Sequence, residues 1–231
     1  MKLKLFSIFI LLLIANSCKP KETIVTNDHI EISVVNKDHY TAASATNNTS
    51  DTSFVNLKDY SSNFIYDMKY ATSDNFLKSK VYDCEVCYLR LKTVKALIMA
   101  NDDFMKLGFK IKIFDCYRPL DVQKKMWKIV PNPIYVADPA KGSIHNRGGA
   151  VDITLITMDG KELDMGTAFD YFGEKASHNY LNFSDSIHEN RKLLKNVMIN
   201  SRFNSFDSEW WHYNLSTALE DKVSNFKWKC D

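Results

Sequence analysis

The amino-acid sequence lacks an excess of charge of either sign. Its 30 Lys and Arg residues nearly balance 28 Asp and Glu residues, for a formal net charge of +2 at pH 7. Proteins that bind nucleic acid or an anionic membrane surface through their overall field carry a much larger positive charge. We therefore expect no nucleic-acid partner and no membrane surface held by electrostatics. The lysine pair at 124–125 is interpreted as part of a solvated helix face.

A long apolar run and internal repeats are also missing. The longest mostly apolar run, Phe6 to Ala15, is too short to span a bilayer comfortably. It follows the positively charged Lys2 and Lys4 and leads through small residues to Cys18, which resembles a bacterial lipoprotein processing site. We predict that residues 1–18 are a signal peptide and that a lipid on Cys18 is the only membrane anchor. An ordinary secretory signal cleaved nearby is the alternative. Both place the protein in the bacterial periplasm or on the cell surface.

Apolar residues are sparse between residues 19 and 52. Thr, Asn, Ser, Asp and Lys dominate this stretch, which leaves too little apolar surface to offset the entropy of ordering it. We predict a disordered tether over 19–52 and one folded domain over 53–231. The chain as a whole is 45% hydrophobic and 13% aromatic, which is sufficient for a well-packed core in one domain.

The domain shows both strand and helix periodicities. Alternating or β-branched stretches predict strands at 64–70, 110–114, 151–156, 202–206 and 210–215. Apolar spacing predicts helices at 89–107, 119–130 and 184–200, with Gly108 as a terminator, Pro119 in a first turn and Ser184 as a side-chain cap. Because strands and helices do not alternate as in βαβ units, we predict an α+β fold. Its sheet is expected to be largely antiparallel and flanked by helices.

Four cysteines remain besides Cys18. A zinc knuckle built on Cys84-x-x-Cys87 would need a second ligand pair, and a thioredoxin-like motif would need a βαβ setting; the sequence has neither. In an oxidising compartment an even number of cysteines predicts two disulfides. Among the three possible pairings, order and position in the chain favour Cys87–Cys116 and Cys84–Cys230.

The stretch from Ser143 to Asp152 is the most informative about chemistry. It places His145 and Asp152 seven residues apart, with a glycine pair between them that lets the chain fold back. Near the end, Glu209-Trp-Trp-His212 supplies a second imidazole and another carboxylate. Two imidazoles and one carboxylate leave the fourth position of a tetrahedral zinc ion free for water. A further carboxylate near that water can act as general base, so the combined pattern predicts a zinc hydrolase.

The joint pattern Ser-x-His-x-x-Gly-x-Ala-x-Asp and Glu-x-x-His resembles the zinc-binding signature of the D-Ala-D-Ala dipeptidase (VanX-like) family. That family shares a fold with D,D-carboxypeptidases and the Hedgehog domain. Two further blocks match in family order: Asp-Cys-Tyr-Arg-Pro at 115–119 and Asp-Met-Gly-Thr-Ala-Phe-Asp at 164–170. The resemblance covers roughly residues 54–215 and implies a Hedgehog/D,D-peptidase-like α+β domain.

The resemblance also implies roles for single residues. It makes His145, Asp152 and His212 the ligands of one Zn²⁺ ion. Glu209 is then the general base, which takes a proton from the attacking water and later passes it to the leaving amine. Arg118 stabilises the negative charge that develops on the carbonyl oxygen. A structural pairing of Arg118 with the neighbouring carboxylate at position 115 is compatible with that role.

Two more residues are implied to contact the substrate. Asp170 resembles the acid that receives the free amino end of the dipeptide, and its alternative role is capping a loop. Ser143 resembles the serine that contacts substrate beside the zinc. No chemistry is assigned to the remaining aromatic and histidine residues: Trp210, Trp211 and Tyr213 are predicted in the core or pocket wall, and His178 and His188 at the surface.

The function implied by the resemblance is zinc-dependent hydrolysis of the free dipeptide D-Ala-D-Ala. Export of the protein favours a role in peptidoglycan turnover, with D-Ala scavenging as the alternative. A zinc D,D- or L,D-carboxypeptidase that trims longer wall peptides is the nearest alternative. A non-catalytic zinc lipoprotein that binds wall peptide or a partner is an alternative of another class.

Overall fold

The computed structural model describes residues 49–230. The predicted signal peptide, Cys18 and the predicted tether up to residue 48 lie outside the described residues. The described part is an α+β domain, which confirms the predicted fold class. None of the helices in this part of the chain is both long and apolar enough to cross a membrane.

The described residues form seven strands and three α-helices. The strands are β1 (Phe54–Asn56), β2 (Ile65–Tyr66), β3 (Tyr88–Arg90), β4 (Phe109–Asp115), β5 (Ala150–Thr157), β6 (Phe203–Phe206) and β7 (Glu209–Leu215). The helices are α1 (Leu91–Lys106), α2 (Leu120–Ile129) and α3 (Asp185–Asn200).

Five of the strands form the main sheet, in the order β2-β4-β5-β7-β6. Only the short β2–β4 pair is parallel, so the sheet is largely antiparallel as predicted. Strands β1 and β3 form a separate antiparallel pair. The central strand β5 is buried over almost its whole length, which matches its run of β-branched residues.

Apolar side chains of α1 pack against β4 and complete the core on that side. Leu97 and Phe104 of the helix, and Ile111 and Ile113 of the strand, are fully buried. Burial of one such side chain contributes about 1.5–3 kcal/mol to stability. The helix ends as predicted before Gly108, whose φ of +85° is a backbone conformation that favours glycine.

The predicted strand at 64–70 is wrong beyond Tyr66. The chain leaves the sheet and forms a short 3₁₀ turn, Lys69–Ala71, that contains Tyr70. The side-chain amide of Asn75 donates to three backbone carbonyls of this region and stabilises the turn. Met68 and Tyr70 are still buried, which explains why the apolar alternation resembled that of a longer strand.

One predicted helix start and one cap hydrogen bond differ from the structure. Residues Tyr88–Arg90 pair with β1, so α1 begins at Leu91, two residues later than predicted. Ser184 is the N-cap residue of α3 as predicted, but its hydroxyl bonds the hydroxyl of Ser186, so the side-chain hydrogen bond to a backbone N–H is absent. In both places contacts with other residues override a local sequence preference.

Two disulfides connect the four cysteines of the described domain: Cys87–Cys116 and Cys84–Cys230. These are the two pairs that order and position in the chain favoured. The first is buried next to the end of β4, and the second attaches the C-terminal segment to the domain. Loss of either bond is expected to destabilise the domain by about 2–5 kcal/mol, because each one closes a long loop of the unfolded chain.

His178 is not the surface residue that the sequence suggested. Its backbone N–H donates to the Asp207 carbonyl at 2.9 Å, and its ring nitrogen Nε2 is buried with no hydrogen-bond partner among the described residues. Burial, together with the nearby positive charges of Lys195 and Arg191, lowers the pKa of His178 to about 4. The imidazole is therefore neutral in the folded protein at pH values where it is partly protonated in the unfolded chain.

This difference predicts a pH dependence of stability. Between pH 6.5 and about 4 the unfolded chain binds a proton at His178, whereas the folded protein does not. The free energy of unfolding should therefore fall as the pH drops through this range. Urea denaturation at several pH values should show a shallower fall for His178→Gln than for the wild type. Equal pH dependence in the two proteins would contradict this assignment.

Candidate active site

Three segments of the main sheet and its connections bring together the predicted metal ligands. Asp152 on β5 lies directly opposite His212 on β7 in the antiparallel ladder. His145 lies in a 3₁₀ turn just before β5. That turn ends at Gly148, with φ of +73°, where a Cβ atom would lie 2.5 Å from the ring of Phe54. Glycine at this position therefore allows the close turn that places His145 beside the β5–β7 pair.

The potential ligand atoms of the three residues converge on one point. His212 Nδ1 lies 2.9 Å from Asp152 Oδ1 and 3.2 Å from His145 Nε2. His145 Nε2 lies 3.4 Å from the same Asp152 oxygen. Two imidazole nitrogens and one carboxylate oxygen this close together are a donor set that suits a divalent metal ion.

The opposite nitrogens of the two imidazoles are held by hydrogen-bond acceptors. The backbone carbonyl of Cys116 accepts from His145 Nδ1 at 2.7 Å, and Asn214 Oδ1 accepts from His212 Nε2 at 2.9 Å. Each ring therefore carries its proton on the side away from the cluster and directs a lone pair towards the other ligands. Such outer contacts orient metal-binding histidines and raise their basicity.

Asn214 was not identified from the sequence. It follows His212 by two positions on β7, so both side chains lie on the same face of the strand. This spacing is the signal that would have pointed to Asn214, once His212 had been placed on a strand.

The electrostatics of the ligand cluster follow from its burial. Burial by itself raises the pKa of a carboxyl group, but His145 and His212 hold the pKa of Asp152 well below its ordinary value. Burial lowers the pKa of an imidazole, yet contact with Asp152 gives His212 a raised pKa. The carboxylate is thus kept in its charged, metal-binding form.

Glu209 lies beside the ligand cluster without joining it. It is the first residue of β7, and its Oε2 lies 4.0 Å from His212 Nδ1. Burial raises the pKa of Glu209, and the nearby imidazole of His212 opposes this increase. A carboxyl group with a raised pKa at the edge of a metal site is suited to accept and return a proton.

Arg118 follows the end of β4 and is almost fully buried. One terminal nitrogen donates to Asp115 Oδ2 at 2.6 Å, and the other donates to Gln123 Oε1 at 3.1 Å. Asp115 also accepts from the hydroxyl of Tyr82 at 2.7 Å. Its Oδ2 lies 3.7 Å from His145 Nδ1. Asp115 thus orients the guanidinium beside the candidate metal site. The sequence predicted that such a pairing is compatible with the oxyanion role of Arg118.

Asp170 lies on the loop between β5 and α3. The hydroxyl of Tyr70 donates to both of its carboxylate oxygens at 3.1 Å. Burial, with a further contribution from the charge of Asp152, raises the pKa of Asp170 well above its ordinary value. Among the described residues Asp170 forms no ion pair, so a bound cation would relieve an unfavourable charge.

Tyr70 contacts both Arg118 and Asp170. The guanidinium of Arg118 lies over its ring, 5.2 Å from the centroid, while its hydroxyl contacts Asp170. The sequence assigned Tyr70 to a strand and missed this role. Its partner is 100 positions away in the chain, so no local pattern could have revealed the contact.

Ser143 is held next to the ligand turn by Asn146. The Ser143 hydroxyl donates to Asn146 Oδ1 at 3.1 Å, and the Asn146 amide donates to the Arg118 carbonyl at 2.8 Å. Asn146, fully buried, therefore connects the proposed substrate-contacting serine to the segment that carries Arg118. The role of Asn146 was likewise not predicted.

Comparisons with known proteins show similarity over most of the described domain. The family model described as D-Ala-D-Ala dipeptidase, Peptidase_M15, matches residues 50–229. A D-alanyl-D-alanine dipeptidase of Escherichia coli is 34% identical over 165 residues, which are 69% of this chain and 86% of that protein. Proteins of the same name from Enterococcus faecalis and Enterococcus faecium are 32% and 30% identical, over 70% and 65% of this chain and 91% and 85% of their own lengths.

The contact of Asn214 with His212 predicts a contribution to metal affinity. Asn214→Ala removes the acceptor that orients the ring, so affinity for Zn²⁺ should fall about 10- to 100-fold in competition with a chelating dye. Asn204→Ala is the matched control, because Asn204 is exposed on β6 directly opposite Asn214. Wild-type affinity in Asn214→Ala would show that this residue does not orient the ligand.

Proposed function

The chain belongs to the D-Ala-D-Ala dipeptidase family of M15 peptidases, and we propose that it hydrolyses the free dipeptide D-Ala-D-Ala to D-alanine with one Zn²⁺ ion. The observation that carries this proposal is a metal-ligand trio flanked by two further carboxylates. Glu209 lies next to the trio, and Asp170 is a carboxylate without an ion-pair partner in the described domain.

The ligand trio fits zinc. Ligand atoms around a tetrahedral zinc ion, at bond lengths of about 2.0–2.2 Å, lie about 3.3–3.6 Å apart. The three separations among His145, Asp152 and His212 range from 2.9 to 3.4 Å. When bound there, zinc would polarise the substrate carbonyl and make a water molecule more acidic.

Glu209 and Arg118 would perform the proton transfer and charge stabilisation. Glu209 takes a proton as the water oxygen attacks the peptide carbonyl carbon. It returns that proton to the amine nitrogen as the C–N bond breaks, which leaves two molecules of D-alanine. Arg118, held rigidly by Asp115 and Gln123, is placed to stabilise the negative charge on the carbonyl oxygen without reorganisation.

Asp170 would make the enzyme a dipeptidase. The free ammonium group of a dipeptide pairs with a carboxylate whose charge is otherwise unfavourable. A substrate with a blocked or extended amino end would leave this carboxylate unpaired and lose binding free energy. Ser143, next to the ligand turn, is proposed to contact the same substrate.

The decisive experiment compares D-Ala-D-Ala with N-acetyl-D-Ala-D-Ala. The purified zinc-loaded protein should cleave the free dipeptide with a kcat/KM about 10²-fold or more above that for the blocked peptide. Asp170→Asn should lose most of this preference through a raised KM. Glu209→Gln should lose turnover of both peptides while retaining zinc, since its isosteric amide cannot accept the proton.

The other outcomes identify the alternatives. Efficient cleavage of the blocked peptide would favour a D,D- or L,D-carboxypeptidase and leave Asp170 with a structural role. Full activity of Glu209→Gln would contradict the role of Glu209 as general base. A protein that binds zinc but hydrolyses neither peptide would be a non-catalytic zinc lipoprotein.

We also propose that the protein is exported and anchored by a lipid on Cys18, and that it acts in peptidoglycan turnover. An exported enzyme meets wall fragments and not cytoplasmic wall precursors. Membrane fractionation should find the wild type with the membrane, whereas Cys18→Ser should be released, because lipidation requires the thiol. Identical fractionation of both proteins would contradict the anchor. A lowered glycopeptide susceptibility of cells that express the signal-bearing gene would count against the turnover role.

A further inference from the structure

Arg191 on α3 is a buried guanidinium that contacts backbone carbonyls instead of carboxylates. Only 4% of the residue is exposed. Its Nε donates to the carbonyl of Met165 at 2.7 Å, and its two terminal nitrogens donate to the carbonyls of Ser177 and Lys175, each at 2.8 Å. No carboxylate of the described residues lies within ion-pair distance of it.

The three carbonyls lie at the two ends of one loop. Met165 is at its beginning, and Lys175 and Ser177 are at its end. A guanidinium has five N–H donors in a fixed plane and can reach several acceptors at once, whereas a lysine ammonium is a compact charge on a flexible stem. Arg191 therefore holds together the base of the 165–177 loop with one rigid group.

Burial of this charge without a counter-ion is unfavourable. Burial lowers the pKa of Arg191 to about 10, although the group stays charged at neutral pH. A side chain that only filled space at this position could be apolar and would avoid this cost. An apolar side chain could not donate the three hydrogen bonds to these carbonyls. These hydrogen bonds are thus what distinguishes an arginine from an apolar residue at this position.

The loop that Arg191 closes carries Asp170 near its middle. Asp170 has a φ of +59°, a left-handed conformation that is unfavourable for a non-glycine residue. Such a conformation persists only if the surrounding structure enforces it. Tyr70 holds the carboxylate, and the contacts at the loop base restrict the backbone.

Neighbouring side chains fix both the guanidinium and the loop. The ring of Phe183 covers the guanidinium, 4.8 Å from its centroid. The same ring lies so close to Gly166 that a Cβ there would approach it to 2.7 Å. Trp210 Nε1 donates to Thr167 Oγ1 at 2.8 Å, which attaches the first half of the loop to β7.

We propose that Arg191 is a positioning residue that sets the place of Asp170 and thereby the preference for a free amino end. This inference rests on the proposed function. If the guanidinium is lost, the ends of the loop are no longer held together and Asp170 can relax from its left-handed conformation. The substrate ammonium then loses its partner, while the zinc ligands on β5 and β7 are unaffected.

Two variants test the proposal in the full-length zinc-loaded protein. Arg191→Lys keeps the positive charge but loses the planar set of donors, and Phe183→Ala removes the ring that holds the guanidinium. Both should raise KM for D-Ala-D-Ala about 10- to 100-fold with little change in kcat, because the lost interaction concerns substrate binding. N-acetyl-D-Ala-D-Ala should be cleaved with nearly unchanged kcat/KM, so that the preference for the free dipeptide falls.

Three further measurements separate positioning from general destabilisation. Zinc content should stay at the wild-type level in both variants. In an Asp170→Asn background, Arg191→Lys should cause no additional loss, because the group that it positions is already absent. Lys192→Gln, an exposed lysine next to Arg191 on α3, is the matched control and should behave as the wild type.

Amide hydrogen exchange provides a readout that does not depend on activity. Amides at 166–176 should exchange at least about tenfold faster in Arg191→Lys than in the wild type, with β5 unchanged.

Absence of a substrate preference in the wild type would overturn the proposed function. Hydrogen exchange would then still test whether Arg191 holds the 165–177 loop together. A wild-type preference retained by Arg191→Lys and Phe183→Ala, or an additive loss with Asp170→Asn, would overturn the role of Arg191. If Arg191→Lys does not fold, the KM and the substrate preference of Phe183→Ala test the proposal.

Discussion

The antiparallel pairing of β5 with β7 is the constraint on which the site depends. It places Asp152 directly opposite His212. Trp211 and Tyr213 alternate with His212 and Asn214 on β7 and are almost fully buried in the core. Because strand side chains alternate between faces, a slip by one residue would expose these aromatic rings and turn His212 into the core. The packing of the core therefore also determines the register of the two candidate metal ligands on β5 and β7.

Around this pair, hydrogen bonds between distant segments hold the other groups in place. The carbonyl that orients His145 belongs to Cys116, which is itself fixed by a disulfide to Cys87. Asp115, next to it, holds Arg118. The end of β4 thus positions both a metal ligand and the proposed oxyanion group. Rigid placement of this kind is what electrostatic catalysis requires, since the charges need not reorganise during the reaction.

The proposed selectivity group, Asp170, belongs to a less regular part of the fold. Asp170 lies on a loop without α-helix or strand, in a backbone conformation that a non-glycine residue rarely adopts. Tyr70 precedes this loop in the sequence and Arg191 follows it, and both donate hydrogen bonds to it. A site with its proposed metal ligands on the sheet and in the turn beside it, and its proposed specificity group on a loop, can change its substrate range without altering its metal ligands.

The sequence by itself determined the α+β class, most strands and helices, and the residue types of the metal site, because periodicity and ligand spacing are local properties. It also favoured the two cysteine pairs that the structure contains. Only the tertiary structure decided that Tyr70 leaves its strand to contact Asp170 and that Arg191 closes a loop. These contacts join residues far apart in the chain, or they use backbone carbonyls that every residue carries. No pattern of side chains along the sequence can therefore specify them.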